Sequence, residues 1–273
     1  MTLDKLITAE LEYFQPMLER QMLATDEQRA FWRTESISDR TRRVSLEVYE
    51  MLNGTVRYGP FVGLRLVKDT WWGEKNLGSQ CLGFYERDIL DLMVSHGPWD
   101  HFIDIGGGDG YYSVGMLHSG LTKRVTCFEK EAAGRVAIAR NWELNNSVGD
   151  LAILGEASSS VLERFLIGVS GKTLVLIDVE GFEFELLDPS VIAALKECEV
   201  IIEVHNWVDS FTQKYSKLLA DLFPFFEISL ISRSDRSTLD IPELRGLTDD
   251  SRLLLLSEQR PCVMRFIHLS PRF

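Results

Sequence analysis

The sequence has little cysteine and comparatively few basic residues. Among its 273 residues are four cysteines, Cys81, Cys127, Cys198 and Cys262, and no two of them form a CxxC pair. This spacing argues against a zinc site and against a disulfide framework. The 29 Lys and Arg residues are outnumbered by 41 Asp and Glu, for a formal charge of -12. Because nucleic-acid-binding proteins usually present a basic surface to the phosphates, we expect neither a nucleic acid nor an anionic membrane as partner.

Long apolar runs are also missing. No segment approaches the roughly 20 apolar residues that span a bilayer, and MTLDKLITAE lacks the basic-then-apolar order of a signal peptide. We therefore expect a cytoplasmic protein. The chain shows no internal repeat or low-complexity tract, and its 45% hydrophobic content suffices for one large core or for a domain with an appendage.

The chain changes character near residue 97. Before that point, apolar residues at helical spacing predict helices over 3–23 and about 38–53. The segment TVRYGPFVGLRLV predicts a β-hairpin, and FYERDILDLMVSHG predicts a further helix. We interpret residues 1–96 as an N-terminal helical cap with a β-hairpin. The alternative to a cap or lid is that its apolar stripes pack on the core or on a second subunit, which would give a homo-oligomer formed through the N-terminal helices.

Two adjacent tryptophans lie between the predicted hairpin and the helix that follows it. Trp71 and Trp72 belong to DTWWGEKNLGSQCLG, which is too rich in glycine and polar residues for a regular element. Aromatic faces suit the stacking of a sugar ring or an apolar ligand. We therefore predict that both tryptophans belong to a lid over the acceptor site, with burial in the core as the alternative.

Residues 97–273 alternate short apolar runs with helical stretches. Runs such as TLVLID are apolar on both faces, which predicts a parallel sheet covered on both sides, with ligands bound beyond the carboxyl ends of its strands. PFFEISLIS and PCVMRFIHLS predict a terminal strand pair. The predicted strands lie near 100–105, 123–128, 150–155, 173–178 and 199–205, and the predicted helices near 110–119, 131–145, 158–167, 182–197 and 208–222.

The strongest chemical signal is FIDIGGGDGYYSVG, in which an apolar strand leads to Asp104 and then to Gly106, Gly108 and Gly110. Glycines allow the backbone to approach a ligand closely. We refer to residues 106–110 as the glycine turn. The dinucleotide pattern GxGxxG requires a small residue where this chain has Tyr111. The Asp104 carboxylate suits a ligand ammonium, which S-adenosylmethionine (SAM) has, better than the pyrophosphate of NAD. We predict that Asp104 and the three glycines contact SAM.

Acidic residues also end the next two predicted strands. RVTCFEK ends in Glu129, about 20 residues after the glycine turn, where a carboxylate can accept hydrogen bonds from both ribose hydroxyls. LAILGEAS ends in Glu156 and Ala157, and Glu156 is placed to accept a hydrogen bond from the adenine amino group. We predict that these three residues bind the nucleoside. The alternative is a surface acid at either position, or a helix cap at Glu156.

Four titratable residues end the fourth and fifth predicted strands. Asp178 and Glu180 follow one strand, and Glu203 and His205 end the next. Neighbouring parallel strands bring such groups together, and the spacing of two lets each pair share a face. We predict His205 as general base with Asp178 and Glu203 as catalytic partners, Asp178 also as a cofactor contact, and Glu180 at the acceptor site. A hydrogen-bonded core histidine is the alternative for His205. A divalent metal held by Asp178, Glu203 and His205 is a less favoured alternative.

These motifs resemble the FkbM-like family of SAM-dependent methyltransferases. The resemblance rests on DIGGGDG at 104–110, Glu129, IDVEGFEFELL at 177–187 and IIEVHNW at 201–207, and it covers most of the chain beyond about residue 54. It implies the class I sheet of seven strands with an antiparallel last strand, SAM as methyl donor, and O-methylation of sugars or polyketide-like natural products. It also implies that SAM is contacted by Asp104, Gly106, Gly108 and Glu129. The acidic signature that it implies is formed by Asp178, Glu180, Gly181 and Glu183.

The sequence therefore predicts an α/β protein with a doubly wound, Rossmann-like class I methyltransferase sheet behind an N-terminal cap. The predicted activity is SAM-dependent O-methylation of a hydroxyl on a small-molecule or glycan acceptor. An N-methyltransferase would share every cofactor feature. A nucleotide-dependent oxidoreductase or epimerase is disfavoured by Tyr111 and Asp104, and a non-catalytic nucleotide-binding protein on the same fold remains a third alternative.

Overall fold

A mixed sheet forms the centre of the fold. The computed structural model describes residues 2–234, 237–260, 262 and 264–272, and within them seven strands pair in the order β3-β2-β1-β4-β5-β7-β6. Strand β7 runs antiparallel to both of its neighbours, β5 and β6. This order confirms the predicted class I methyltransferase sheet. The strands are β1 His101–Ile105, β2 Arg124–Phe128, β3 Asp150–Leu154, β4 Thr173–Ile177, β5 Glu199–Val204, β6 Phe226–Leu230 and β7 Arg265–Pro271.

Helices flank the sheet and precede it in the chain. Strands β1 and β4 are buried along their whole length because hydrophobic clusters pack on both faces of the sheet. The described helices are α1 Leu3–Leu23, α2 Asp26–Thr34, α3 Ile37–Met51, α4 Leu77–Cys81, α5 Arg87–His96, α6 Tyr111–His118, α7 Ala132–Leu144, α8 Ser159–Leu166, α9 Glu183–Leu186, α10 Pro189–Ala194, α11 Phe211–Leu222 and α12 Asp249–Leu254, and a 3-10 turn covers Pro242–Leu244.

The terminal strand pair is confirmed. PFFEISLIS contains β6, and the second run contains β7, which pairs with β6 from Phe226 opposite Pro271 to Leu230 opposite Ile267. Pro261 and Val263, which belong to the predicted second run, lie outside the described residues.

The single helix predicted over 182–197 is wrong. The structure has two short helices there, α9 and α10, separated at Leu187 and Asp188. Pro189 begins the second helix, a position where its missing N–H costs nothing. The Asp188 side chain caps that helix by accepting hydrogen bonds from the backbone N–H groups of Ser190 and Val191, at 2.8 and 3.0 Å.

The predicted β-hairpin is also wrong. The chain does reverse over this segment, and backbone hydrogen bonds from Val56 N to Leu64 O and from Leu66 N to Gly54 O flank an antiparallel bridge between Thr55 and Arg65, but the bridge stays isolated and these residues form no strands. The backbone N–H groups of Arg65 and Val67, which point away from the opposing arm, donate to the side-chain oxygens of Asn145 and Asn141, at 2.9 and 2.8 Å. These two hydrogen bonds dock the returning arm on α7 and its C-cap residue Asn145, on the side that faces away from the bridge.

The segment around Trp71 and Trp72 is irregular, as predicted. The prediction failed further along the same segment, where α4 forms a short helix. Residues of this helix are buried because Gly78 lies against α3, where an added Cβ would be 2.8 Å from the Cα of Ser45. The Ser45 hydroxyl also accepts a hydrogen bond from Gly78 N at 2.8 Å.

Helix α2 was not predicted, and the apolar stripe of α1 does not pack on the sheet. Helix α2 has no buried residue and begins with a capping box between Thr25 and Gln28. On α1, Leu3 and Leu11 keep 70% and 60% of their surface exposed. Coverage of this stripe by a second subunit therefore stays a prediction. Among the described helices, none combines the length and apolar character needed to cross a membrane.

The segment before residue 97 shares a hydrophobic core with the sheet. Phe61 is fully buried and lies edge-on against Tyr111, with ring centroids 5.3 Å apart. Ile89 and Met93 of α5 join the same cluster as Phe102 of β1. This hydrophobic core extends across the proposed boundary at residue 97. The division of the chain into a cap of residues 1–96 and a separate sheet domain stays a prediction.

Candidate functional site

A cavity of about 420 Å³ lies where the strand order reverses, between the carboxyl ends of β1 and β4. This edge is where open α/β sheets bind ligands. The glycine turn and the ends of β2, β3 and β4 form its walls. Of the predicted site residues, those that line it are Gly106, Gly108, Glu129, Glu156, Ala157, Asp178, Glu180, Trp71 and Trp72.

Glycine at position 106 allows the turn to approach β4 closely. Gly106 has φ +95°, and a Cβ there would overlap the carbonyl oxygen of Asp178. Gly108 also has positive φ, +53°, but a Cβ there would meet no heavy atom within 4 Å. Gly106 is therefore needed for packing, whereas Gly108 faces open space in which a ligand could contact the backbone.

Asp104 and Gly110 do not contribute to the described cavity lining. The Asp104 side chain is buried and accepts a hydrogen bond from Ser113 Oγ on α6 at 2.6 Å. Burial raises the pKa of Asp104 to about 6, with the Glu129 charge adding to this effect and the Ser113 hydrogen bonds opposing it. Gly110 packs against Ile138, since a Cβ added to Gly110 would lie 3.1 Å from Ile138 Cγ1. Both residues support the turn from beneath, and direct contact between Asp104 and a ligand ammonium stays a prediction.

The Glu129 carboxylate organises the turn as well as lining the cavity. One oxygen accepts from Gly108 N at 2.9 Å, and the other accepts from Glu131 N at 2.8 Å. Each carboxylate oxygen can accept a second hydrogen bond. Glu129 can therefore hold the turn and still accept from ligand hydroxyls, as the ribose prediction requires.

Asp109 positions the two tryptophans, a role that sequence reasoning missed. Its carboxylate oxygens accept hydrogen bonds from the backbone N–H groups of Trp71 and Trp72, at 2.9 and 3.2 Å. A Cβ at Gly134 would lie 2.6 Å from Trp71 Nε1 and 2.8 Å from Glu129 Cγ. Trp71 therefore lies beside Glu129, at the end of the cavity where the nucleoside was predicted.

The four residues predicted at the ends of β4 and β5 come together. His205 Nε2 lies 3.6 Å from Asp178 Oδ1 and 3.7 Å from a carboxylate oxygen of each of Glu180 and Glu203. His205 is completely buried, and neither it nor Glu203 belongs to the described cavity lining. Asp178 and Glu180 therefore separate His205 from the cavity.

Glu183 orients His205, which sequence reasoning from spacing did not find. Its carboxylate lies 3.2 Å from His205 Nδ1 and accepts from His205 N at 2.8 Å. Both side chains are fully buried. Glu183 thereby fixes the ring so that Nε2 faces the acids at the end of β4. Only the family resemblance had marked Glu183, because α9 is too short to carry a periodic signal.

The charged neighbours shift the proton affinities of this group. Burial raises the pKa of Asp178 to about 8, with the charges of Glu86 and Glu180 adding to the effect and those of His205 and Arg260 opposing it. Burial alone would lower the pKa of His205, but the hydrogen bond and charge of Glu183, together with the charges of Asp178 and Glu180, raise it above its ordinary value. Such shifts cluster at functional sites.

Arg260 and Glu86 complete the group and were also missed. Arg260 pairs with Glu203, and it donates to Glu86 Oε1 at 2.8 Å. Glu86 also accepts a hydrogen bond from the Tyr112 hydroxyl. The group therefore holds the carboxylates of Glu86, Asp178, Glu180, Glu183 and Glu203 against Arg260 and His205. Its acidic excess favours a ligand with a positive centre.

The predicted metal ligands Asp178, Glu203 and His205 offer donor atoms within 4.8 Å of one another. Oxygen and imidazole nitrogen donors suit several divalent ions. Arg260 already pairs with Glu203, so an ion would have to share that carboxylate with a guanidinium. This arrangement also serves a metal-free proton acceptor.

Comparison with known proteins gives no family assignment. No family model and no curated protein matches the chain. The chain is similar to ribosomal protein L11 methylase from Lactobacillus delbrueckii subsp. bulgaricus, with 17% identity over 77% of this chain and 86% of that chain and a TM-score of 0.44. It is also similar to an rRNA methylase from Streptococcus thermophilus, with 12% identity over 68% and 96% and a TM-score of 0.43. A third is M. jannaschii TYW2 in complex with AdoMet, with 12% identity over 70% and 75% and a TM-score of 0.38.

At these identities and TM-scores the similarity to the three solved structures does not define the activity of this chain. The fold assignment rests on the strand order described above. The FkbM-like resemblance stays a prediction from the motifs.

Proposed function

We propose that the chain is a SAM-dependent methyltransferase that acts on a hydroxyl of a sugar, glycan or natural product. The cavity at the strand-order reversal carries this proposal, because it joins an open glycine turn and Glu129 at one end to the acids of β4 at the other. The acidic excess at the β4 end suits the positive sulfonium of SAM. It disfavours the pyrophosphate of a dinucleotide.

The residues present fit SAM. The open side of Gly108 and the remaining acceptor capacity of Glu129 would hold the ribose end, and Glu156 and Ala157 would border the adenine. SAM supplies a methyl group that is already activated for transfer. The chain therefore has to align an acceptor oxygen, exclude water and accept a proton.

Asp178 and His205 are the proposed proton acceptors. Asp178 lines the cavity and can contact an acceptor hydroxyl directly. His205 lies behind Asp178 and is held by Glu183, so we infer that it acts as base through Asp178 rather than by touching the acceptor. The raised pKa of each group places its proton affinity nearer to that needed at neutral pH.

A methyl-transfer assay tests the proposal. SAM with a labelled methyl group would be incubated with the protein and with two acceptor panels, one of sugars and polyketide-like compounds with free hydroxyls and one of amines. We expect label on oxygen, with turnover greatly reduced in Asp178→Asn. Label on nitrogen would support the N-methyltransferase alternative, and binding without transfer to either panel would support a non-catalytic protein.

A metal-assisted mechanism is a second candidate, because Asp178, Glu203 and His205 can converge on one ion. Such an ion would bind and acidify an acceptor hydroxyl. The same assay after exhaustive chelation distinguishes the two mechanisms. Full activity would rule out the metal, whereas loss of activity that added Mg²⁺ or Mn²⁺ restores would support it.

A further inference from the structure

Two histidines and a glutamate meet outside the site described above. His96 is the last residue of α5, Glu199 is the first residue of β5, and His268 lies in β7. Glu199 Oε2 is 2.7 Å from His96 Nδ1 and 2.9 Å from His268 Nε2. The three donor atoms all lie within 4.8 Å of one another.

Sheet register brings this cluster together. His268 pairs with Ile201 across β5 and β7, and Glu199 lies two residues before Ile201 on the same face of the sheet. Helix α5 packs on that face and ends with His96 beside the two strands. Because Glu199 begins β5 and Glu203 lies near its end, the two carboxylates are about 13 Å apart along the strand. The cluster is therefore separate from the cavity.

We propose that His96, Glu199 and His268 bind one divalent transition-metal ion of the zinc type. Two imidazole nitrogens and one carboxylate oxygen form a donor set that zinc accepts, whereas Mg²⁺ and Ca²⁺ prefer oxygen donors. Donor atoms around tetrahedral zinc are about 3.3 Å apart, since each metal–ligand bond is about 2.0–2.1 Å long. The two hydrogen-bonded pairs would separate by about 0.4–0.6 Å to reach this spacing, and the two histidine nitrogens, which lie within 4.8 Å of each other, would adjust to the same spacing.

The accessibility of the ligands suits an ion that can exchange with solvent. The His268 side chain is 6% exposed and that of Glu199 18%, whereas the His96 side chain is 40% exposed. Three protein ligands leave a fourth position for water, and the exposed side of His96 provides access to it. A bound ion would tie the end of α5 to β5 and β7. The nearby Lys172 ammonium donates to the carbonyl oxygen of His96 rather than to a proposed ligand atom.

Metal titration of the full, tag-free chain tests this site. After chelator treatment and desalting, Zn²⁺ would be titrated by calorimetry into the wild type, His96→Gln and Glu199→Gln, with Mg²⁺ as a second probe. His118→Gln controls for loss of a histidine outside the cluster, and Asp178→Asn reports on the other candidate metal cluster. Melting temperature with and without Zn²⁺ provides a second readout.

The proposal predicts one Zn²⁺ per chain, an affinity at least tenfold lower in His96→Gln and Glu199→Gln, and no comparable loss in either control. Zn²⁺ should raise the melting temperature of the wild type but not that of His96→Gln, because an ion that binds the folded state stabilises it. Three results would overturn the site: no Zn²⁺ binding, binding that only Asp178→Asn weakens, or binding that all variants retain.

Discussion

His205 Nε2 lies 3.6 Å from Asp178 Oδ1, and of the two side chains only Asp178 reaches the cavity. A buried imidazole behind a half-buried carboxylate is a costly arrangement, since removal from water penalises the charged form of each. Asp178 shows this cost in its raised pKa of about 8.

The stability of Asp178→Asn should differ from that of the wild type in a pH-dependent way. The folded protein holds the Asp178 proton more tightly than the unfolded chain, in which an Asp has a pKa near 3.8. Stability of the wild type is therefore lost as pH rises from about 4 towards 8. Asparagine removes this loss, so Asp178→Asn should be more stable than the wild type by about 1–4 kcal/mol at pH 8 and by much less near pH 4.5.

Urea denaturation of both proteins at pH 4.5, 6 and 8 measures this difference. The wild type and the variant differ in one side chain, so the change in their stability difference with pH reports on Asp178 together with His205, whose pKa the Asp178 charge raises. A stability difference that is the same at all three pH values would show that Asp178 does not titrate with a raised pKa.

His205→Gln should lower kcat by about 10²–10⁴-fold while SAM still binds. The reason is that an amide cannot take up the proton that the substrate hydroxyl loses on methylation. If His205 acts through Asp178, both His205→Gln and Asp178→Asn should lose the low-pH limb of the pH–rate profile. Glu183→Gln should lower kcat less, since it weakens the orientation of the ring and leaves the imidazole in place. Retention of the limb in His205→Gln, with kcat within a few-fold of the wild type, would leave His205 as an orienting group.

The sequence predicted the sheet because each strand carries a strong local signal. TLVLI is apolar on both faces, as a buried parallel strand must be, and the glycine turn follows β1 directly. The convergence of Asp178 and His205 also follows from sequence, because both lie at the carboxyl edge of neighbouring parallel strands.

Features that depend on distant partners could not be predicted in the same way. Arg260 reaches Glu203 from a loop after α12, and Asn141 and Asn145 dock the segment around Arg65 and Val67 on α7. Nothing in local spacing identifies such partners. Helix α2 was missed for a different reason: it has nine residues, and its apolar residues Ala30, Phe31 and Trp32 are adjacent in sequence rather than spaced along one face.

Glu129→Gln should weaken S-adenosylhomocysteine binding by about 1.5–3 kcal/mol, since charge-assisted hydrogen bonds to the ribose would be replaced by weaker ones. The amide oxygen can still accept one backbone N–H, so part of the order of the glycine turn should survive. Calorimetry gives the affinity, and Glu143→Gln, an exposed residue of α7, is the matched control. Equal affinities for Glu129→Gln and the wild type would contradict the ribose assignment.

Trp71→Ala and Trp72→Ala should differ in their effects on cofactor affinity. Trp71 lies beside Glu129, so Trp71→Ala should weaken S-adenosylhomocysteine binding as well as raising the acceptor KM. Trp72→Ala should raise the acceptor KM and leave cofactor affinity nearly unchanged. Neither change should unfold the chain, because Trp71 and Trp72 keep 38% and 47% of their surface exposed. Circular dichroism checks the fold, and a large loss of structure in either variant would assign that tryptophan to the core.

The measurement that tests the central claim most directly is a thermal-shift comparison of S-adenosylhomocysteine with NAD. A ligand that binds only the folded state stabilises it by RT ln(1 + [L]/Kd), about 2.7 kcal/mol at a hundredfold excess over Kd. The account predicts that S-adenosylhomocysteine raises the melting temperature of the wild type and raises that of Glu129→Gln less, while NAD has no effect. A rise with NAD, and none with S-adenosylhomocysteine, would contradict the account and favour a nucleotide-dependent oxidoreductase.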